Sequence, residues 1–144
     1  MTLFDMTRIA AVAAVLACGA ARAEPAAAPA LSVTFTGIEA KQGGIMVALF
    51  DEGGWATGKP LRAVMVDAAG TARADFAGLP AGRYGVKAFH DLNGNGTMDT
   101  NPFGVPTEPF AFSNDAKGAM GPASWEAAAF DVPAGGAAQT ITIR

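Results

Sequence analysis

Leu31-Ser32-Val33-Thr34-Phe35-Thr36 places Leu, Val and Phe on one side of an extended chain and Ser, Thr and Thr on the other. A period of two over six residues, rich in β-branched and aromatic types, is the pattern of a strand with one face buried. The same alternation returns at Ala72, Ala74 and Phe76 against Thr71, Arg73 and Asp75, and at Ile141 and Ile143 against Thr140, Thr142 and Arg144. These three segments set the fold class as all-β.

Working outward, Gly44 to Phe50 is apolar on both faces, which suits a central strand, and Leu61 to Val66 is a further strand ending at an Asp-Ala-Ala-Gly turn. Arg83 to His90 is the next. A seventh segment, Ala127 to Val132, reads as strand, although its alanines equally allow a helical turn. No stretch sustains a helical period between caps, and Gly and Pro punctuate the chain throughout. The expectation is a seven-stranded antiparallel β-sandwich with one long ordered loop. The turn Phe76-Ala77-Gly78-Leu79-Pro80-Ala81-Gly82-Arg83-Tyr84 resembles a strand connection of transthyretin-like and adhesin-stalk sandwiches, a likeness of fold that carries no function.

The chain divides into three parts. Arg8, the apolar run Ile9 to Ala17 and the small-x-small site Ala21-Arg22-Ala23 read as a secretory signal peptide over residues 1–23. The run stops at Cys18-Gly19, short of the roughly 20 apolar residues that a membrane span needs. Val15-Leu16-Ala17-Cys18-Gly19 loosely resembles a lipobox, so lipid anchoring through Cys18 is the alternative to cleavage after Ala23. Residues 24–30 form an Ala/Pro-rich leader, and 31–144 the β domain. The expected location is the periplasm or the extracellular space.

Removing Asp5, Arg8 and Arg22 from the 10 basic and 13 acidic residues leaves 8 and 12, a formal charge of −4. With no basic run, nucleic acid is not an expected partner. The single cysteine lies in the signal region, so the domain would fold without disulfides, and about 120 residues suffice for one core.

The one dense patch of chemistry is His90-Asp91-Leu92-Asn93-Gly94-Asn95-Gly96-Thr97-Met98-Asp99. Asp91, Asn93 and Asn95, then Gly96, the Thr97 carbonyl and Asp99, match the first nine positions of an EF-hand-type calcium loop. Oxygen donors at alternate positions can converge on one hard cation, and Gly96 permits the sharp turn. The match fails at position 12, where Pro102 replaces a bidentate Glu. A closing carboxylate must come from elsewhere, with Glu108 first and Asp51, Glu52 or Asp115 behind it. The expected affinity for calcium is weak, on the order of 10⁻⁴ to 10⁻³ M. The competing reading is a set of Asx-turns without metal.

His90 falls in register with Tyr84, Val86 and Ala88, which suits a core-end residue that holds the following loop. An enzyme reading would make a hydrolase of His90, Asp91 and Ser113, but no nucleophile elbow is present. Zinc would find one His and carboxylates only. Trp55 and Trp125 read either as an aromatic platform for a glycan or cell-envelope partner or as covers of a core edge.

His90-Asp91-x-Asn93-Gly94-Asn95-Gly96-x-x-Asp99, Gly104-x-Pro106-x-Glu108, Phe112-Ser113-Asn114 and Gly121-Pro122-x-x-Trp125-Glu126-x-Ala128 together resemble the signature of a bacterial secreted family, the domain of unknown function 2141. The likeness runs from about Leu31 to Ile143. It implies an exported β-sandwich with no assigned activity, and it adds Glu108, Ser113 and Asn114 to the residues of interest. Trp125 departs from the family's usual Phe, a change that keeps a packing role.

Overall fold

The computed structural model describes residues 30–144. The expected signal peptide, Cys18 and all of the expected leader except Ala30 lie outside the described residues. The element order is β1 (Leu31–Thr36), β2 (Gly44–Phe50), α1 (Glu52–Thr57), β3 (Arg62–Asp67), β4 (Arg73–Phe76), β5 (Gly82–Asp91), β6 (Phe110–Phe112), a 3-10 turn (Ser113–Asp115), α2 (Trp125–Ala128), β7 (Phe130–Val132) and β8 (Ala137–Thr142). Among the described residues no helix is long and apolar enough to cross a membrane.

The strands form two sheets. One runs β4-β1-β8; the other runs β3-β2-β5-β6, with β7 also paired to β5. All-β therefore fits, and the described residues form eight strands where seven are expected, the extra one being β6. Nor is every pair antiparallel: β1 and β8 run parallel, with Leu31 opposite Ala137 and Thr36 opposite Thr142. Position explains why β6 escapes a sequence reading. Three residues between Pro109 and Ser113 are too few to show a period.

The alternation in β1 does what its chemistry requires. Leu31, Val33 and Phe35 enter a core shared with Ala74 and Phe76 of β4, Ile141 of β8 and Ile143 just beyond it, facing Ile45, Val47, Leu49, Val86 and Ala88 of the larger sheet. Tyr84, Val86, Ala88 and His90 all face inward, as their register predicts. The Tyr84 hydroxyl donates to the Pro80 carbonyl at 2.7 Å, so the tight turn before β5 is tied back to the strand it launches.

One short helix, α1, falls where no helix is expected. Asp51 caps α1 by accepting from the Gly54 N–H at 2.7 Å, and Gly58 closes it in the left-handed region (φ 72°). The last uncertain segment is both things its alanines allow: Ser124 caps the single turn α2, and the chain then extends as β7.

β5 organises the rest. Its residues Gly85–Asp91 pair with β2 along one edge, while the other edge is shared end to end by β6 (at Lys87–Phe89) and β7 (at Gly82–Tyr84). The outward side of this sheet carries a second apolar cluster of Phe50, Trp55, Phe112, Ala123, Trp125, Ala128 and Ala129. Gly85 lies beneath it; a Cβ there would meet the Trp55 ring at 2.8 Å and the Trp125 ring at 3.1 Å, so a bare backbone lets both indoles lie on the strand.

Candidate functional site

The long connection between β5 and β6 leaves the sheet at Asp91 and returns at Pro109. Asp91 is fully buried, and its carboxylate accepts from the backbone N–H groups ahead of it. Oδ1 takes Gly94 at 2.8 Å and Asn95 at 3.1 Å, and Oδ2 takes Gly96 at 2.8 Å. Gly94 and Gly96 sit at φ 72° and 77°, the torsions that turn those donors inward. The polypeptide thus winds around one carboxylate.

Glu108 does fold back, and it does so onto backbone. It is 6% exposed; Oε1 accepts from the Leu92 N–H at 2.9 Å and Oε2 from the Asp99 N–H at 3.1 Å. One side chain therefore ties the two ends of the 92–99 segment. Within that segment Asn95 Nδ2 donates to Asp99 Oδ1 at 2.8 Å and Asn93 Nδ2 donates to Asp99 Oδ2 at 2.5 Å. Asn93 Oδ1 accepts from the Asn95 N–H, and Asn95 Oδ1 from the Thr97 N–H and hydroxyl.

From Asp99 the chain makes a second, smaller excursion. The Thr107 N–H donates to the Asp99 carbonyl at 2.8 Å, the Asn101 N–H donates to the Val105 carbonyl at 2.9 Å, and Asn101 Oδ1 accepts from Phe103 and Val105. Residues 99–107 are consequently a hairpin-like flap, with Phe103 at its tip 90% exposed. Asn101 was not among the residues singled out from sequence; the Asn-Pro-Phe-Gly stretch was the available turn signal.

Of the calcium-type set, Asp91, Asn93, Asn95, Thr97, Asp99 and Glu108 all belong to one network. Among the described residues no three His, Cys, Asp or Glu side chains come together as an ion would require. A cation here would rest on carboxamide and backbone oxygens with few carboxylates. Asp51 caps α1 and Asp115 accepts from the Thr142 N–H at 2.7 Å, so those two fallback carboxylates serve other elements.

His90 is 1% exposed, and its Nε2 lies 2.7 Å from the Gln42 carbonyl. A carbonyl only accepts, so Nε2 carries the hydrogen, and the ring ties the β1–β2 connection to the end of β5. Ser113 accepts from the Val86 N–H at 2.9 Å and donates to the Ala128 carbonyl at 2.6 Å. It fills the gap between β6 and β7, where Val86 would otherwise lack a ladder partner. Asn114, at φ 59°, donates to the Ala127 and Ala129 carbonyls and completes the splice. Val86 and His90 are four residues apart, about 13 Å at roughly 3.3 Å per strand residue, so His90 and Ser113 do not meet.

Trp55 and Trp125 are not an exposed platform. Each is 8% exposed, their ring centroids lie 5.9 Å apart, and the Trp55 Nε1 donates to the Ala123 carbonyl. Beside them lies Lys87, a residue that sequence reasoning missed. Its ammonium is 4.4 Å from the Trp55 ring and 4.7 Å from the Phe50 ring. Burial lowers its pKa from the ordinary lysine value.

No curated protein and no solved structure matches the chain. A family described as an uncharacterized protein conserved in bacteria (DUF2141) matches residues 33–142. That span takes in both sheets, the Asp91 loop, Glu108 and the Ser113 splice, and the chain belongs to this family.

Proposed function

We propose that this chain is an extracytoplasmic binding or structural module, a β-sandwich of the transthyretin-like kind, whose 91–108 excursion is a rigid frame for a recognition surface turned toward an envelope partner or ligand. The observation that carries this reading is the pair Asp91 and Glu108, whose buried carboxylates take five backbone N–H groups of one loop. Bonds of this charge-assisted kind contribute about 1.5–3 kcal/mol each, far beyond what an idle connection requires. A loop fixed before it binds avoids the ordering cost of binding. Hydrogen exchange is the test: the Gly94, Asn95 and Gly96 amides should be protected, and free exchange there would remove the frame.

A second reading puts a weak calcium ion at Asp91, Asn93, Asn95, Thr97 and Asp99, with Glu108 closing. It is supported by the oxygen-rich 91–99 segment, in which Asp91 and Asp99 both engage Asn95 and neither is paired to a Lys or Arg among the described residues. With a Kd near 0.3 mM, 3 mM calcium would add about 1.4 kcal/mol, a rise of several degrees in midpoint over the chelated protein. A midpoint unmoved through about 10 mM, tenfold above the weakest affinity expected for such sites, would remove the ion and leave the frame.

A further inference from the structure

β2 is apolar on both faces, and its outward face needs a partner. Across the larger sheet the outward residues form two rows by register: Met65, Met46, Phe89 and Phe110 in one, Ala63, Ala48, Lys87 and Phe112 in the other. The Trp55 and Trp125 cluster covers the end nearest Gly85. Over the opposite end the flap around Phe103 and the segment 118–122 stand as two walls, leaving a trough of about 880 Å3.

The trough is in the size range of ligand sites, roughly 300–1,000 Å3. Its lining is apolar apart from Lys87, the only ionisable side chain in it. That ammonium sits at the aromatic end, donates at 3.4 Å to the Trp55 carbonyl, and has no carboxylate partner among the described residues. The four methionines beyond the signal region all gather here: Met46, Met98 and Met120 line the trough, and Met65 is the cross-strand neighbour of Met46. Unbranched thioether chains adapt to flexible apolar shapes.

Resting on the binding-module reading, we propose that this trough binds a long-chain fatty acid, with the hydrocarbon chain on the Met46 and Phe89 row beneath the flap and the carboxylate at the Lys87 ammonium. A lone cation at one end of an apolar channel matches a molecule that is apolar throughout and anionic at one end. Self-association fits less well, because a two-fold contact needs a self-complementary patch, and a floor between two projecting walls is concave throughout.

The test uses purified protein with a fluorescent polyene fatty acid, displaced in turn by palmitate and by hexadecanol, which has the same chain without the charge. Saturable one-to-one binding is expected, with hexadecanol about tenfold weaker than palmitate, the value of one charge-assisted contact. Lys87→Gln should weaken palmitate by the same factor and leave hexadecanol unchanged, Lys87→Arg should retain palmitate, and Ala63→Trp should block both by filling the floor. Equal binding of palmitate and hexadecanol to the wild-type protein overturns the proposal, and that comparison needs no variant to fold. So does a concentration-dependent dimer that excludes the probe. Protected 94–96 amides in a protein that takes up no fatty acid would overturn this inference alone, whereas free exchange there would overturn the frame instead.

Discussion

Two sets of carboxylate hydrogen bonds do the same chemistry in opposite surroundings. On the three-stranded sheet, Asp75 accepts from the Ser32 hydroxyl at 2.7 Å and from Arg73 Nε at 2.9 Å, with Arg73 and Asp75 side chains almost half exposed. At the end of the larger sheet, Asp91 and Glu108 accept from backbone N–H groups and are sealed from solvent. Asp75 also has a cation beside it; Asp91 and Glu108 have none among the described residues. Counted per carboxylate, two bonds at Asp75 against three at Asp91 and two at Glu108, the sets are near equals. Burial decides otherwise, because water replaces a lost partner at the surface and cannot do so inside.

The largest break in this contrast should come from Asp91→Ala. It removes the acceptor for three N–H groups and leaves a hole under the loop, so a loss of about 3 kcal/mol or more is expected in denaturant unfolding. A loss below about 1 kcal/mol would mean that the loop is held by something other than Asp91. Glu108→Gln comes next. The amide keeps an oxygen for one of Leu92 and Asp99 and presents N–H to the other, so about 2 kcal/mol is expected, together with faster exchange of the Asp99 amide. Asp99→Ala should cost under about 1 kcal/mol, since its carboxylate partners, Asn93 and Asn95, are exposed side chains that water can satisfy. If Asp99→Ala proved as costly as Asp91→Ala, burial would not be the deciding variable.

The fold was legible where one face is wet and the other buried, as in β1, β4 and β8, because period two is then imposed by solvent. It was illegible where that contrast is missing. Phe110-Ala111-Phe112 is too short to show a period, and Glu52–Thr57 holds two glycines that hide a helix, although Asp51 and Gly58 were caps that could have been read. The site was half legible. Asp and Asn spacing gave the loop, and Glu108 was singled out, but that it would bind backbone N–H groups follows from its burial, which spacing does not encode. β2 held the most useful overlooked signal: apolar residues on both faces meant that the outward face also required a cover, and Lys87 in register with Ala48 marked where that cover is incomplete.

The smallest expected effect sharpens the contrast through pH. The Ser32 hydroxyl, first, and Arg73, second, hold the Asp75 carboxyl below its ordinary 3.8. A carboxylate with a lowered native pKa contributes stability that is complete above the unfolded value and is lost as pH falls through the native one. Wild type should therefore exceed Asp75→Asn by about 0.5 kcal/mol at pH 7, the scale of an exposed pair, and the gap should close as pH drops below 3.8. Salt should narrow it at neutral pH, because the Arg73 share is screened while the Ser32 bond is not. A gap that persists in acid would show that the residue acts through β4 pairing or packing, leaving the electrostatic side of the comparison to the buried pair alone.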